Sequence, residues 1–234
     1  MLTRRHIRVK VLQSLYSFYQ NDEEKLDKQE KFLQYSIHQM HDLHALLLQL
    51  MVAVRDHAHN FLEKSQKKFL ATEADKNPSR SFVNNQIIAL IAENPILQEY
   101  ISNKKLDYWK QDDEYVSVLF NELKSTDFYS EYLSKETPSF EDDKKFALQF
   151  YKEIIAPNDK LYDYLEDKRL TWLDDFPLVN TSIVKALNKI SPNKQTRVFR
   201  PEVFKDEDDR EFSLLLLRKV ILNDDKLSKI IDGK

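Results

Sequence analysis

Glycine occurs once in the 234 residues, at Gly233. β-rich folds need glycine at tight turns and bulges, so a chain this poor in it reads as helical. Proline is also sparse, at seven positions, and the stretches between turn signals show helical rather than alternating periodicity. Apolar residues at 41%, with 12% aromatic, are enough to bury a core. The expected class is all-α, a helical bundle. There is no cysteine. That removes disulfides, thiolate zinc sites and cysteine nucleophiles from consideration, and it suits a reducing, cytoplasmic setting.

Residues 3–20 read as the first helix, with Ile7, Val11, Leu12, Leu15, Phe18 and Tyr19 on one broad face and His6, Lys10, Gln13 and Ser17 opposite. Arg4 and Arg8 fall on the apolar azimuth near the helix start. This predicts a body that begins near Val11, with the arginines projecting beyond it. Residues 24–70 read as one very long helix or two in line. Leu33, Ile37, Met40, His44, Leu47, Met51, Val54, Ala58 and Phe61 alternate spacings of four and three, a seam of nearly four heptads. Leu43, Leu46 and Leu50 widen the seam, so more than one neighbour is expected. After a loop at "TEADKNPSRS", helices are expected over 82–94, 95–104, 112–124, 126–135, within 137–159 from after Pro138 to a stop at Pro157, 161–169 and 177–190. A turn-rich stretch, "SPNKQTRVFRPEVFK", precedes a helix over 206–224 and a short last one ending at a Gly233 cap.

The longest apolar stretch, "LHALLLQLMVAV" from Leu43, has 12 residues against the ~20 a bilayer needs, so no membrane association is expected. The acid-free, arginine-bearing start has the character of a mitochondrial transit peptide. Its apolar stripe, however, reads as one that packs into a body.

Formal net charge is −3, yet residues 1–21 carry four cations and no counted acid before Asp22. The bulk of the chain gives no reason to expect nucleic acid, and only this local cluster does. Its plain alternative is a solubilising helix end. Tyr16 and Tyr19 follow it at helical spacing, which is more common for core residues than for a base-stacking platform.

Elsewhere, chemistry has little to stand on. "HQMHDLH" places His38, His41 and His44 near Asp42, but His44 lies in the apolar seam, and no third or fourth ligand is evident for a metal at His38 and His41. His57 and His59 lie on opposite helix faces. The many carboxylates sit at helix starts or beside lysines at helical spacing. One glycine permits no phosphate-binding loop. No cofactor is called for, and a non-enzymatic protein is expected.

Two segments together carry a more specific signal. "TRRHIRVKVLQSLYSF" resembles the opening of the NusB family of bacterial transcription antitermination factors, where a short arginine-rich motif runs into a helix reading Leu-Tyr plus a small residue, here Leu15, Tyr16 and Ser17. "DREFSLLLLRKVILNDDKLSKII" resembles the family's third helix, sharing the phenylalanine, the paired leucines and the asparagine. Together they cover about a fifth of the chain. The long stretch between them is similar to the expanded form in Bacteroidetes-type bacteria.

The resemblance implies a NusB-like N-terminal sub-bundle from residues 1–21 and 205–234, a helical insertion at 22–204, and no counterpart of the family's C-terminal sub-bundle. The helix "DREFSLLLLRKVIL", apolar nearly all round, would then lack part of its partner surface. The implied function is RNA binding in transcription antitermination. It would act on a boxA-like single-stranded ribosomal-RNA leader with a ribosomal protein acting as NusE, within the transcription elongation complex. Arg4, Arg5, His6, Arg8 and Lys10 are the implied RNA-binding residues, with His6 standing where arginine is common. Tyr16 is the implied partner-binding residue. The alternative is a helical interaction scaffold, or a NusB-like accessory RNA-binding domain.

Overall fold

The structure, a computed structural model, describes residues 2–20, 25–68, 72, 76–192, 199 and 203–232. Among these it is all-α, with no strand. The helices are α1 (Arg4–Gln20), α2 (Leu26–Gln66), α3 (Gln86–Ala92), α4 (Pro95–Lys104), α5 (Tyr108–Gln111), α6 (Asp113–Lys124), α7 (Asp127–Leu133), α8 (Phe140–Phe150), α9 (Asp159–Lys168), α10 (Phe176–Lys189), α11 (Glu207–Leu222) and α12 (Asp224–Asp232). The expected Gly233 cap lies outside the described residues, as does most of the turn-rich stretch before α11.

Local chemistry explains most boundaries. Asn85 accepts from the backbone N–H groups of Ile87 and Ile88. It therefore starts α3 four residues later than periodicity suggests. Asn94 caps α4, whose first residue is Pro95. α4 ends at Lys105 in the left-handed region (φ 54°), a conformation that costs a non-glycine residue about 1 kcal/mol. Ser139 and Asp142 close a reciprocal capping box on α8. Two elements carry no periodic signal at all: the single turn α5, and a 3₁₀ segment at Leu170–Asp175.

α2 is one continuous 41-residue helix. All nine seam residues are buried except Phe61, and Leu43, Leu46 and Leu50 are fully buried as well. Every residue from Asp42 to Leu48 is buried.

The chain divides into two compact units, one of Met1–His41 with Pro201–Lys234 and the other of Asp42–Arg200. The first thus joins the two ends of the chain and takes in the opening turns of α2. Within it, α1 and α11 run parallel. Arg4 pairs with Asp209 and Tyr19 with Asp224, both at a separation of 205 residues. Glu30, early in α2, pairs with Arg218 of α11. On α11, Asp209, Ser213 and Leu217 form the buried stripe, while Leu215 and Leu222 are exposed.

The second unit is held by an aromatic core. Phe82 meets Tyr129, Phe146 and Phe150 edge-on, and Tyr132 stacks on Phe146 at 4.0 Å. The Trp109 indole N–H donates to the Leu46 carbonyl (2.8 Å), pinning α5 to α2. Buried Asp42 accepts from the Tyr100 hydroxyl (2.6 Å) and from Arg169 (3.1 Å).

The body does not begin near Val11. Leu2 and Ile7 are buried, and the Leu2 N–H donates to the Val203 carbonyl. The buried face of α1 is also turned from the expected one. Ile7, Lys10, Val11 and Ser14 face inward, while Leu12 and Tyr19 face solvent. Hydrophobicity alone pooled Leu12 and Tyr19 with the core. The edge of α1 that carries Arg4, Arg8 and Tyr19 in fact borders α11 at Asp209 and Phe212 and the first residue of α12, Asp224.

Candidate nucleic-acid interface at the start of α1

Thr3 is the N-cap of α1, its carbonyl accepting from the Ile7 N–H at 3.0 Å. His6, at the third helical position, reaches back. Its Nδ1 accepts from the Thr3 N–H (3.3 Å) and lies 2.8 Å from the Thr3 hydroxyl. The imidazole thus takes the place a glutamate holds in a capping box.

The first turn of α1 has no acid and two arginines, Arg4 and Arg5. Cations at the positive end of a helix dipole oppose it, at a cost of about 0.3–1 kcal/mol each. Arg4 is partly compensated. Its Nε–H donates to Asp209 Oδ1 at 3.1 Å, although 57% of its side chain remains exposed. The guanidiniums of Arg4 and Arg8 lie over the Phe212 ring, at 5.0 and 5.5 Å from its centroid. Arg5 and Arg8 are exposed. Lys10 is buried, so among the sequence-selected cations it does not face solvent. Tyr16 is exposed rather than core.

Because α1 and α11 are parallel, their N termini lie at the same end of the unit. α11 carries Asp206 as N-cap and Glu207, Asp208 and Asp209 in its first turn. A cavity of about 400 Å³ there is lined by Leu2, Thr3, Arg4, Lys205 and three aspartates. The cation cluster is therefore bordered on one side by acids, and its solvent-facing part is Arg5 and Arg8 with the outer part of Arg4. The compact unit as a whole is neutral, with 14 cations against 14 acids.

Sequence periodicity missed Asp209 and Phe212 as members of this site. Both lie in the segment that carried the second resemblance, but a pairing across 205 residues leaves no periodic trace.

Compared with protein-family models, curated proteins and solved structures, the chain matches none.

Away from α1, the histidines are dispersed in role. His38 is exposed, with its Nδ1 2.7 Å from the Gln34 carbonyl. His41 is buried, and His44 stacks on Phe199. Among the described residues, no group of three or more histidines and carboxylates is placed to hold a metal ion, and no helix is long and apolar enough to cross a membrane.

Proposed function

We propose that this chain is a non-enzymatic RNA-binding adaptor of the antitermination type, active in the cytoplasm. The observation that carries the reading is the placement of Arg4, Arg5 and Arg8 at the positive end of α1, with only Arg4 matched by a carboxylate among the described residues. An arrangement that works against its own helix dipole is accounted for by an anionic ligand, and phosphates are the ligand arginines suit best. Single-stranded RNA of the boxA type is the proposed target. Arg5 and Arg8 make the phosphate contacts, and Arg4 joins once it is released from Asp209. A ribosomal protein acting as NusE is the proposed partner, meeting the exposed Tyr16 on the same helix, within the elongation complex.

Filter binding to boxA-like RNA across a salt series tests this. Two to three phosphate contacts predict a slope of log affinity against log salt of roughly −1.4 to −2.1. Arg5→Ala with Arg8→Ala should flatten it by ~1.4, while Lys124→Ala with Lys152→Ala should leave it unchanged. A double arginine variant that kept the wild-type slope would end the RNA reading.

One observation favours a second reading, a helical interaction scaffold. The acids of α11 border the arginines, as they would in a surface built for a mixed-charge protein partner rather than for a polyanion. In that case no RNA would bind at any salt concentration.

A further inference from the structure

Two departures from local rules lie on the wall of one cavity in the second unit. The cavity, of about 640 Å³, is lined by residues of α2, of the end of α4 and of α5. Its size is that of a small-molecule site.

The first departure is Gln49. It stands in the apolar run of α2, between the fully buried Leu48 and Leu50. Its Oε1 is buried and has no hydrogen-bond partner among the described residues. Two more glutamines line the cavity, and both have amide N–H groups engaged. Gln98 donates to the Ala92 carbonyl and Gln111 to Asp107 Oδ1, each at 3.0 Å. A leucine at position 49 would avoid the cost of burying an acceptor unpaired.

The second departure is Lys105. At the end of α4 the Leu106 N–H donates to the Ile101 carbonyl at 3.0 Å and the Lys105 N–H to the Ser102 carbonyl at 3.2 Å, the Schellman pattern. Lys105 takes its left-handed position, where glycine is usual. It is exposed and lines the cavity. Lys104 already gives the end of α4 a cation, so the helix dipole does not require a second one. Strain kept where glycine would relieve it is typical of ligand sites.

The remaining wall is aromatic and basic. Trp109 is 4% exposed, and the bond from its indole N–H to the Leu46 carbonyl makes its ring a fixed surface. Half-buried Tyr108 precedes it, and Lys110 adds a second exposed cation. The acid on the wall, Asp107, is the one held by Gln111. A ligand complementary to these groups is planar, offers an N–H donor beside an acceptor, and carries negative charge. Glutamine matches adenine in this way, its Oε1 accepting from the N6 amine and its Nε2 donating to N7. Bases stack on aromatic side chains, and phosphate pairs with ammonium groups.

We propose that this cavity binds an adenine nucleotide. The base lies against Tyr108 and Trp109 and is read by the Gln49 amide. The phosphate sits between Lys105 and Lys110, which is what lysine in place of glycine at position 105 serves. The site is in the second unit, and the proposal does not rest on the RNA reading of α1.

Calorimetry of the full chain with adenosine monophosphate should show one-to-one binding. Inosine monophosphate, which has a carbonyl in place of the N6 amine, should bind about tenfold more weakly. Gln49→Leu should remove that preference without lowering the urea midpoint, since it replaces an unpaired amide in an apolar run. Lys105→Gly should raise the urea midpoint by relieving the backbone, yet weaken the nucleotide several-fold. Adenosine, lacking the phosphate, should bind wild type and Lys105→Gly alike. Oligoadenylate should bind no more tightly than the mononucleotide, and tighter binding would overturn the free nucleotide as the ligand in favour of an RNA base. No binding of adenosine monophosphate by wild type would overturn the site. So would Lys105→Gly that gained stability with nucleotide affinity unchanged, because that lysine would then serve only the end of the helix.

Discussion

The Arg4 Nε–H donates to Asp209 Oδ1 over 3.1 Å, and the two residues are unequal partners. Asp209 is buried, and its own N–H is fixed to Asp206 Oδ1 at 3.0 Å. Arg4 is mostly in solvent. The acid is the fixed member and the arginine the movable one, so Asp209 competes internally for a cation that RNA would use. Asp209→Asn keeps the shape and removes the charge. BoxA-like RNA should then bind several-fold more tightly, with the salt slope steeper by ~0.7 as one more phosphate contact is added. Loss of a half-exposed pair should cost the fold no more than about 1 kcal/mol, read by urea denaturation. A fall in affinity would mean that Asp209 orients Arg4 instead of competing for it.

In the second unit, buried Asp143 gathers three donors: the buried Tyr132 hydroxyl at 2.6 Å, and at the surface the Gln86 N–H at 2.8 Å and Gln86 Nε2 at 3.1 Å. Tyr132 also lies 3.0 Å from Asn85 Nδ2, and Asn85 caps α3. One carboxylate thus ties α3, α7 and α8 together. Asp143→Ala takes the acceptor from one buried donor, the Tyr132 hydroxyl, at a cost of about 1–3 kcal/mol, while the exposed Gln86 donors can turn to water. A loss of about 2 kcal/mol in urea unfolding is expected, against about 1 kcal/mol for Tyr132→Phe. The double variant should lose less than the two single losses combined, since both act on one network.

Leucines on α1 and α2 give a contrast that composition cannot. Leu47 is fully buried in α2, and Leu12 on α1 is two-thirds exposed. Leu47→Ala should cost about 2–5 kcal/mol and Leu12→Ala no more than about 0.5 kcal/mol, measured by urea unfolding. A large loss at Leu12 would show that α1 is turned differently.

That contrast also marks where the sequence was readable. α2 was legible almost residue by residue, because a long seam repeated over many turns averages out single exceptions such as Phe61. α4 was legible because Pro95 and its asparagine cap are local signals. α1 was legible as a helix but not in its orientation. Leu12 and Tyr19 are exposed apolar residues beside the buried stripe, and a periodicity reading pools them with it into one broad face. Lys10 went unrecognised as buried for the same reason. The candidate site was half legible: the arginines are contiguous in sequence, whereas Asp209 and Phe212 reach them only through the parallel packing of α11.

The last prediction concerns acid. Arg218 donates to both oxygens of Glu30, one of them at 2.8 Å, and these bonds hold the Glu30 carboxyl below its usual 4.5 against a smaller opposing effect of burial. Arg80 does the same for Glu63 at 2.9 Å in the other unit. A carboxylate whose folded pKa is depressed contributes in full above its unfolded pKa. The contribution is lost as pH falls below about 4.5 and through the folded value. His57 adds a step at higher pH. Burial lowers its pKa from 6.5, outweighing the opposing pull of Asp113. The unfolded chain therefore takes up that proton first, and stability falls as pH drops below 6.5. Both effects have the same sign, so the expected profile is a plateau above about pH 7, a shallow decline below 6.5, and a steeper one below 4.5. Urea unfolding across pH should show that Glu30→Gln flattens only the acid limb of the first unit and His57→Gln only the decline near neutrality in the second. NMR titration of His57 should give a midpoint below 6.5. If Glu30→Gln followed the wild-type curve below pH 4.5, the Glu30–Arg218 pair would not be what holds the start of α2 to α11.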